Sequence, residues 1–247
     1  MRRDYVNVGV IWFTATFLLE LIWPAIKFFG IPGSEEGLLI DEAFNILMVL
    51  GIPVFTFVLS VLGYSFVRFR VHEDDTQTDG PPVRSSTTVY VVWLVVTGLL
   101  ALAVLIHPGI TGVFELRSNP TADLIVEVQA EKWNWTFSYP QYGIVVEKAD
   151  QLILPVDTRV KFEVSSTDIL HSFWIPAFRM KMDAVPGQTN ALYTTPNVIS
   201  AFDDDSNFRV QCAELCGTGH ARMRAEVVVI EIEEFESWVA EMQPASP

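Results

Sequence analysis

Two runs in the first half of this chain, Phe44 to Val67 and Thr88 to Ile106, contain no charged residue. Crossing the hydrocarbon core of a bilayer takes roughly 20 apolar residues, so both runs read as membrane-spanning helices. A third apolar run, Val6 to Phe29, carries Glu20, Pro24 and Lys27. It reads either as another span or as a cleaved export signal with a basic start. No small-residue cleavage motif follows it, which favours a retained helix. Glu20 and Lys27 are seven apart and share a face if the helix continues; an acid at membrane depth is a functional flag, although subunit packing or snorkelling of the lysine explains the pair as well.

Loop charge orients the spans. Arg2 and Arg3 precede the first run, and Arg68, Arg70 and Arg84 lie between the second and third. The stretch from Gly30 to Glu42 holds Glu35, Glu36, Asp41 and Glu42 and no base. By the positive-inside rule the arginine-bearing side is cytoplasmic, which puts everything after His107 outside. The expected placement is a multi-pass protein of the plasma membrane with an extracytoplasmic C-terminal domain. Three parts follow: residues 1–43, an N-terminal helix and external loop; 44–107, a helix hairpin; and 108–247, an external domain. The polar linker His72 to Ser86 reads as the loop of the hairpin.

Beyond the membrane the pattern shifts to short alternating runs. Asp123 to Gln129, Lys132 to Tyr139, Gly143 to Glu147, Arg159 to Val164, Asn190 to Thr194, Asn207 to Gln211 and Arg224 to Ile232 have strand composition. Seven or more strands in this length indicate a Greek-key β-sandwich or barrel, closed by an amphipathic helix at Glu233 to Met242. The external part has 20 acids against 10 Lys and Arg. That balance excludes nucleic acid as a partner and favours a basic protein docking on the surface. Five lysines beside eleven arginines and 30 acids would also suit a salty medium, where self-repulsion is screened.

The chemistry concentrates in Cys212-Ala-Glu-Leu-Cys216-Gly-Thr-Gly-His220-Ala-Arg-Met223. These are the chain's two cysteines, and thiolate and thioether are soft ligands that favour copper, while imidazole suits copper, zinc and iron. A second histidine, His171, lies in Asp168-Ile-Leu-His-Ser-Phe-Trp-Ile-Pro. Outside the membrane two cysteines four apart can close a disulfide. Glycines at 217 and 219 favour instead a ligand loop, by letting the backbone turn so that His220 faces the sulfurs. Two Cys and two His could hold one tetrahedral zinc, with Met223 left in the core. They could also hold two coppers that share both sulfurs, each with one imidazole and one weak axial group.

Cys-x-Glu-x-Cys-Gly-x-x-His-x-x-Met, preceded by Asp-Ile-Leu-His-Ser-Phe-Trp-Ile-Pro, resembles subunit II of the haem-copper respiratory oxidases, the cytochrome c oxidase type with a binuclear CuA centre. The resemblance covers the helix hairpin and the whole external domain, and implies an all-β cupredoxin-like Greek-key barrel behind two or three N-terminal transmembrane helices. It implies that Cys212 and Cys216 bridge two coppers, that His171 and His220 each cap one, and that Met223 and the Glu214 carbonyl are weak ligands. The Glu214 side chain would help hold magnesium at the boundary with subunit I. Glu131-Lys-Trp133-Asn-Trp135 is similar to the family's aromatic strip, with Trp133 as the residue that receives the electron and Trp135 in the core. Tyrosine often stands where Asn134 is, and arginine where Gln188 follows Met180-Lys-Met-Asp-Ala-Val-Pro-Gly; the donor surface and one subunit contact are therefore expected to differ.

The implied function is the electron-accepting subunit of a terminal oxidase. It would take electrons from cytochrome c or a blue copper protein and pass them to haem in subunit I, where oxygen is reduced. No side chain of this chain would act as acid, base or nucleophile. Quinol oxidases have lost the copper ligands, which are present here. The alternatives are the CuA subunit of a nitric oxide reductase and a membrane-tethered zinc or copper module for structure or copper delivery. Asp168 is a candidate to hydrogen-bond the ligand loop or the His171 ring, or else a solvated turn residue. His72 and His107 have no ligand partners in sequence.

Overall fold

The computed structural model describes residues 2–26, 29–70, 85–118 and 121–243. Lys27 and almost all of the linker from His72 to Ser86 lie outside the described residues. The chain forms two compact units, Met1–Lys27 with Glu42–Phe114, and Phe28–Asp41 with Glu115–Pro247.

In the first unit, α1 (Arg2–Ile22), the greater part of α2 (Glu35–Arg68) and α3 (Thr87–Val104) are helical. Among the described residues, three helical stretches, with their continuations, are long and apolar enough to cross a membrane. Helix α3 runs on through a π-type turn, Leu105–Ile110, into α4 (Thr111–Arg117). The backbone leaves helical angles at His107, beside Pro108, so a kink rather than a clean stop follows the span. His107 Nδ1 lies 2.8 Å from the Thr111 hydroxyl. Helices α1 and α2 run antiparallel against each other through matched polar pairs. Tyr64 donates to Asp4 (2.8 Å) and accepts from Asn7 (3.1 Å), Trp12 Nε1 donates to the Pro53 carbonyl (2.8 Å), and the Thr16 and Thr56 hydroxyls are 2.7 Å apart. Trp23 packs on Phe44 at the other end.

The second unit is a β-sandwich. Its strands are β1 (Leu124–Glu131), β2 (Asn134–Tyr139), β3 (Ile144–Val146), β4 (Gln151–Pro155), β5 (Val160–Ser166), β6 (His171–Ile175), β7 (Met180–Ala184), β8 (Asn190–Thr194), β9 (Arg209–Cys212) and β10 (Arg224–Ile230). One sheet has the order β3-β2-β1-β5-β8 and the other β4-β10-β9-β6-β7. Pairing is antiparallel except for β1 with β5 and β4 with β10. Alternate side chains point inward: Leu124, Val126, Val128 and Ala130 on β1, Val160, Phe162 and Val164 on β5, Ala225, Val227 and Val229 on β10. They meet Trp135, Phe137 and Phe173 in one core. Helix α5 (Ile232–Met242) closes one end with Phe235 and Trp238 against Tyr139. The Tyr139 hydroxyl donates to the Ile153 carbonyl at 2.9 Å.

Three strands, β4, β6 and β7, lie outside the seven runs read as strands. So does the true start of α2: Glu35–Asp41, expected in the external loop, is its opening part. Ser34 caps it, its hydroxyl accepting the Gly37 N–H at 3.0 Å, and Glu35 and Glu36 occupy the first turn, where the helix dipole favours acids. This segment belongs to the β-sandwich unit. Gly33 N–H bonds to the Ala177 carbonyl (2.8 Å) and Glu35 N–H to that of Thr195 (3.0 Å). Glu36 pairs with Arg159 and accepts the Thr195 N–H at 2.9 Å. Arg179 Nε and Nη2 bind the two Asp41 oxygens at 2.8 and 3.1 Å.

Candidate metal centre

Strand pairing assembles the centre. β6 opens on His171 and β9 closes on Cys212, and antiparallel pairing sets Phe173 opposite Cys212. The chain then loops through 213–219, makes a 3₁₀ turn at His220–Arg222 and enters β10. The Cys212 N–H bonds to the Met223 carbonyl at 3.0 Å, closing the loop at its base, and the Ala213 N–H bonds to the Ser172 carbonyl at 3.0 Å.

The sulfurs of Cys212 and Cys216 are 3.7 Å apart, and both are free thiols rather than a disulfide. Around Cys212 Sγ stand His171 Nδ1 at 3.8 Å and the Glu214 carbonyl oxygen at 3.2 Å. Around Cys216 Sγ stand His220 Nδ1 at 3.6 Å and Met223 Sδ at 3.9 Å. All six expected ligand residues are therefore brought together, with His171, Cys212, Cys216 and Met223 buried. Among the described residues, His171, Cys212 and Cys216 place their ligand atoms within 4.8 Å of one another, close enough to hold a metal ion.

Burial, then the neighbouring Cys212 sulfur, pushes the Cys216 thiol up to about 12. Cys216 therefore keeps its proton until a cation displaces it, as thiolate sites do when they load metal. Asp168 behaves oppositely. Burial raises its pKa, but the Ile169 N–H, the His171 ring and the Lys132 N–H outweigh it and hold the carboxyl at about 2. Its Oδ1 is 2.9 Å from His171 Nε2, so the other ring nitrogen is left facing the sulfurs. Of the alternatives for Asp168, the hydrogen bond to the histidine is the one formed.

Trp133 leans over the ligand loop, 37 % exposed, and its Nε1–H donates to the Cys216 carbonyl at 3.0 Å. Trp135 is buried, edge-on to Phe173 at 5.8 Å. Gln188 donates to Asn190 at 2.6 Å, and Asn134 opens β2 opposite Glu131. One expectation about the loop fails: Gly217 has φ +108° and needs glycine for its turn, whereas Gly219 sits at φ −91°, ψ 0°, open to any residue. The reason for glycine at 219 is the indole of Trp133, whose atoms are the nearest that a Cβ there would meet. A glycine in a loop is a weak sequence signal, and nothing local links it to a tryptophan 86 positions away.

Comparison with known proteins gives the family. A family profile described as the periplasmic domain of cytochrome c oxidase subunit II matches residues 144–232. Cytochrome c oxidase subunit 2 of Synechocystis sp. is 26% identical, over 87% of this chain and 76% of that protein. The Bacillus subtilis protein of the same name is 32% identical, over 73% and 52%, and that of Alkalihalophilus pseudofirmus 30% identical, over 94% and 70%. The solved periplasmic domain of cytochrome oxidase subunit II from Bradyrhizobium japonicum is 29% identical, covers 50% of this chain and 95% of its own, and superposes with a TM-score of 0.45. With nearly the whole chain aligned at 30% identity to a relative of which it covers more than two thirds, the chain belongs to the cytochrome c oxidase subunit 2 family.

Proposed function

We propose that this chain is the electron-accepting subunit of a respiratory terminal oxidase, taking one electron at a time at a binuclear copper centre and passing it to haem in subunit I. Membership of the family supports the oxidase role. The observation that carries the copper reading is the two-fold division of donors: each sulfur has its own imidazole and its own weak third donor, a carbonyl on one side and a thioether on the other. A single tetrahedral zinc would use two sulfurs and two imidazoles and leave the Glu214 carbonyl and Met223 Sδ aimed at it without purpose. Soft sulfur with imidazole is the donor chemistry of copper.

When bound, the copper pair would supply a one-electron couple. The protein supplies the rest. Cys212, Cys216, His171 and His220 would hold the pair. Asp168 fixes the His171 ring, and the buried walls exclude water. Trp133 offers a partly exposed aromatic edge hydrogen-bonded to the Cys216 carbonyl. The Glu214 carboxylate would serve a magnesium ion at the subunit I boundary. The acidic external surface suits a basic cytochrome c, or at high salt a blue copper protein held mainly by apolar contact. Helices α1, α2 and α3 would span the plasma membrane, with the β-sandwich outside.

Rapid mixing tests this reading. A reduced c-type cytochrome mixed with the purified oxidase complex should lose one electron to this subunit before any haem is reduced. Cys216→Ser should abolish that first phase. Haem reduction at the full rate in the Cys216→Ser complex would overturn the proposal.

A further inference from the structure

The indole of Trp133 lies against the backbone of the loop at Gly217 and Gly219. A Cβ built on Gly219 would overlap its Cγ and Cδ2 outright and sit 2.7 Å from Cε3. A Cβ on Gly217 would touch the other edge, 3.4 Å from Cζ2 and 3.6 Å from Nε1. At both glycines the three nearest atoms all belong to this one side chain. The two positions differ in why they are glycine. Gly217 needs it for its backbone, at φ +108°; Gly219, at φ −91° and ψ 0°, has a conformation that alanine adopts without strain. Gly219 is also buried, beneath the indole. What the missing methyl permits is therefore the close seat of Trp133.

We propose that Gly219 is a positioning residue for electron input: its bare backbone lets the Trp133 indole settle against the loop with Nε1–H on the Cys216 carbonyl. The consequence for electron transfer rests on the function proposed above. One electron leaves the reduced carrier, which is oxidised by one, and crosses the indole and the Cys216 backbone to the thiolate-bound metal, which is reduced by one. No bond breaks and no proton moves. A methyl at 219 lifts the ring, breaks the hydrogen bond and opens a gap in that route.

Gly219→Ala tests this in two ways. In the copper-free full chain labelled with 5-fluorotryptophan, seven fluorine resonances arise from the seven tryptophans, and Trp133→Phe identifies that of Trp133. Gly219→Ala should shift the Trp133 resonance and leave that of Trp135 in place; an unmoved Trp133 resonance overturns the proposal. In the assembled oxidase, reduction by a c-type cytochrome should slow by about tenfold or more, as misplacement of a well-held group does. The double variant with Trp133→Phe should be no slower than the slower single variant. Reduction by dithionite should be unchanged. A displaced indole with full carrier rate, or additive losses, overturns the proposal. Should Gly219→Ala fail to bind copper, Gly219→Ala with Trp133→Leu makes room for the methyl. Restored copper binding then supports the proposal, and continued loss refutes it by placing the need for glycine in the ligand loop itself. A Trp133→Phe complex as fast as wild type would remove Trp133 from the electron route while the fluorine shift still decides whether Gly219 seats it.

Discussion

Glu36 is 5 % exposed, and its partner Arg159 has a side chain 14 % exposed. One carboxylate oxygen meets the guanidinium, and the other accepts the Thr195 N–H at 2.9 Å. The Thr195 hydroxyl accepts from the same arginine at 3.1 Å and carries no charge. Replacing Glu36 by alanine therefore removes the carboxylate facing a mostly buried cation and strips a backbone donor of its acceptor. Breaking a buried pair in this way costs about 3–5 kcal/mol, because the remaining charge stays desolvated. For a unit of roughly 150 residues, 1 kcal/mol moves the melting temperature by about 2–4 °C, so the expected loss is roughly 6–20 °C. The assay is thermal unfolding of the purified full chain followed by near-ultraviolet circular dichroism, which reads the aromatic core of the β-sandwich. Glu36→Ala with Arg159→Leu also removes the buried cation and should recover much of the loss. A Glu36→Ala shift under about 2 °C, or a double variant worse than the sum of the singles, would refute the reasoning.

Three further outcomes are expected. Burial raises the pKa of the Tyr139 phenol above its ordinary value, so its contribution to stability is complete below about pH 10 and declines as the pH rises further. Tyr139→Phe should cost about 1 kcal/mol at neutral pH through the lost Ile153 bond, and melting curves from pH 8 to 11 should show that deficit shrinking in alkali. The Thr16 and Thr56 hydroxyls, 2.7 Å apart, predict that Thr16→Cys with Thr56→Cys forms an intrachain disulfide in membranes, read by intact mass; a mature chain lacking α1 would show none. A fragment of residues 115–247 lacks the segment 29–41 that bonds to Ala177, Thr195 and Arg159. It should melt below one in which that segment is tethered to it.

What could be read from the chain depended on how local the signal was. Strands β1, β5 and β10 alternate buried and open positions, and their sequences alternate with them. Strand β6, which carries His171, is buried on both faces at four of its five positions, so it has no period of two to detect. The cluster from Cys212 to Met223 is legible because five of the six expected ligand residues fall within twelve positions. His171 joins them only through the pairing of β6 with β9, which composition does not reveal. The acids of the 30–42 stretch suggested a solvated loop. Yet Glu36 and Asp41 are held by Arg159 and Arg179, more than a hundred residues away, and the Ser34 cap with its acidic first turn was the local sign that a helix starts there. Gly219 shows the same limit: its backbone explains nothing, and only the folded position of Trp133 does.

The proposed function depends on what the sulfurs of Cys212 and Cys216 hold. Metal analysis and electron paramagnetic resonance of the purified full chain, loaded with copper, address that directly. The arrangement of His171, Glu214, His220 and Met223 around the two sulfurs predicts two coppers per chain. One unpaired electron should be shared equally between their nuclei. One zinc, a single isolated copper, or a Cys212–Cys216 disulfide in the loaded protein would contradict it.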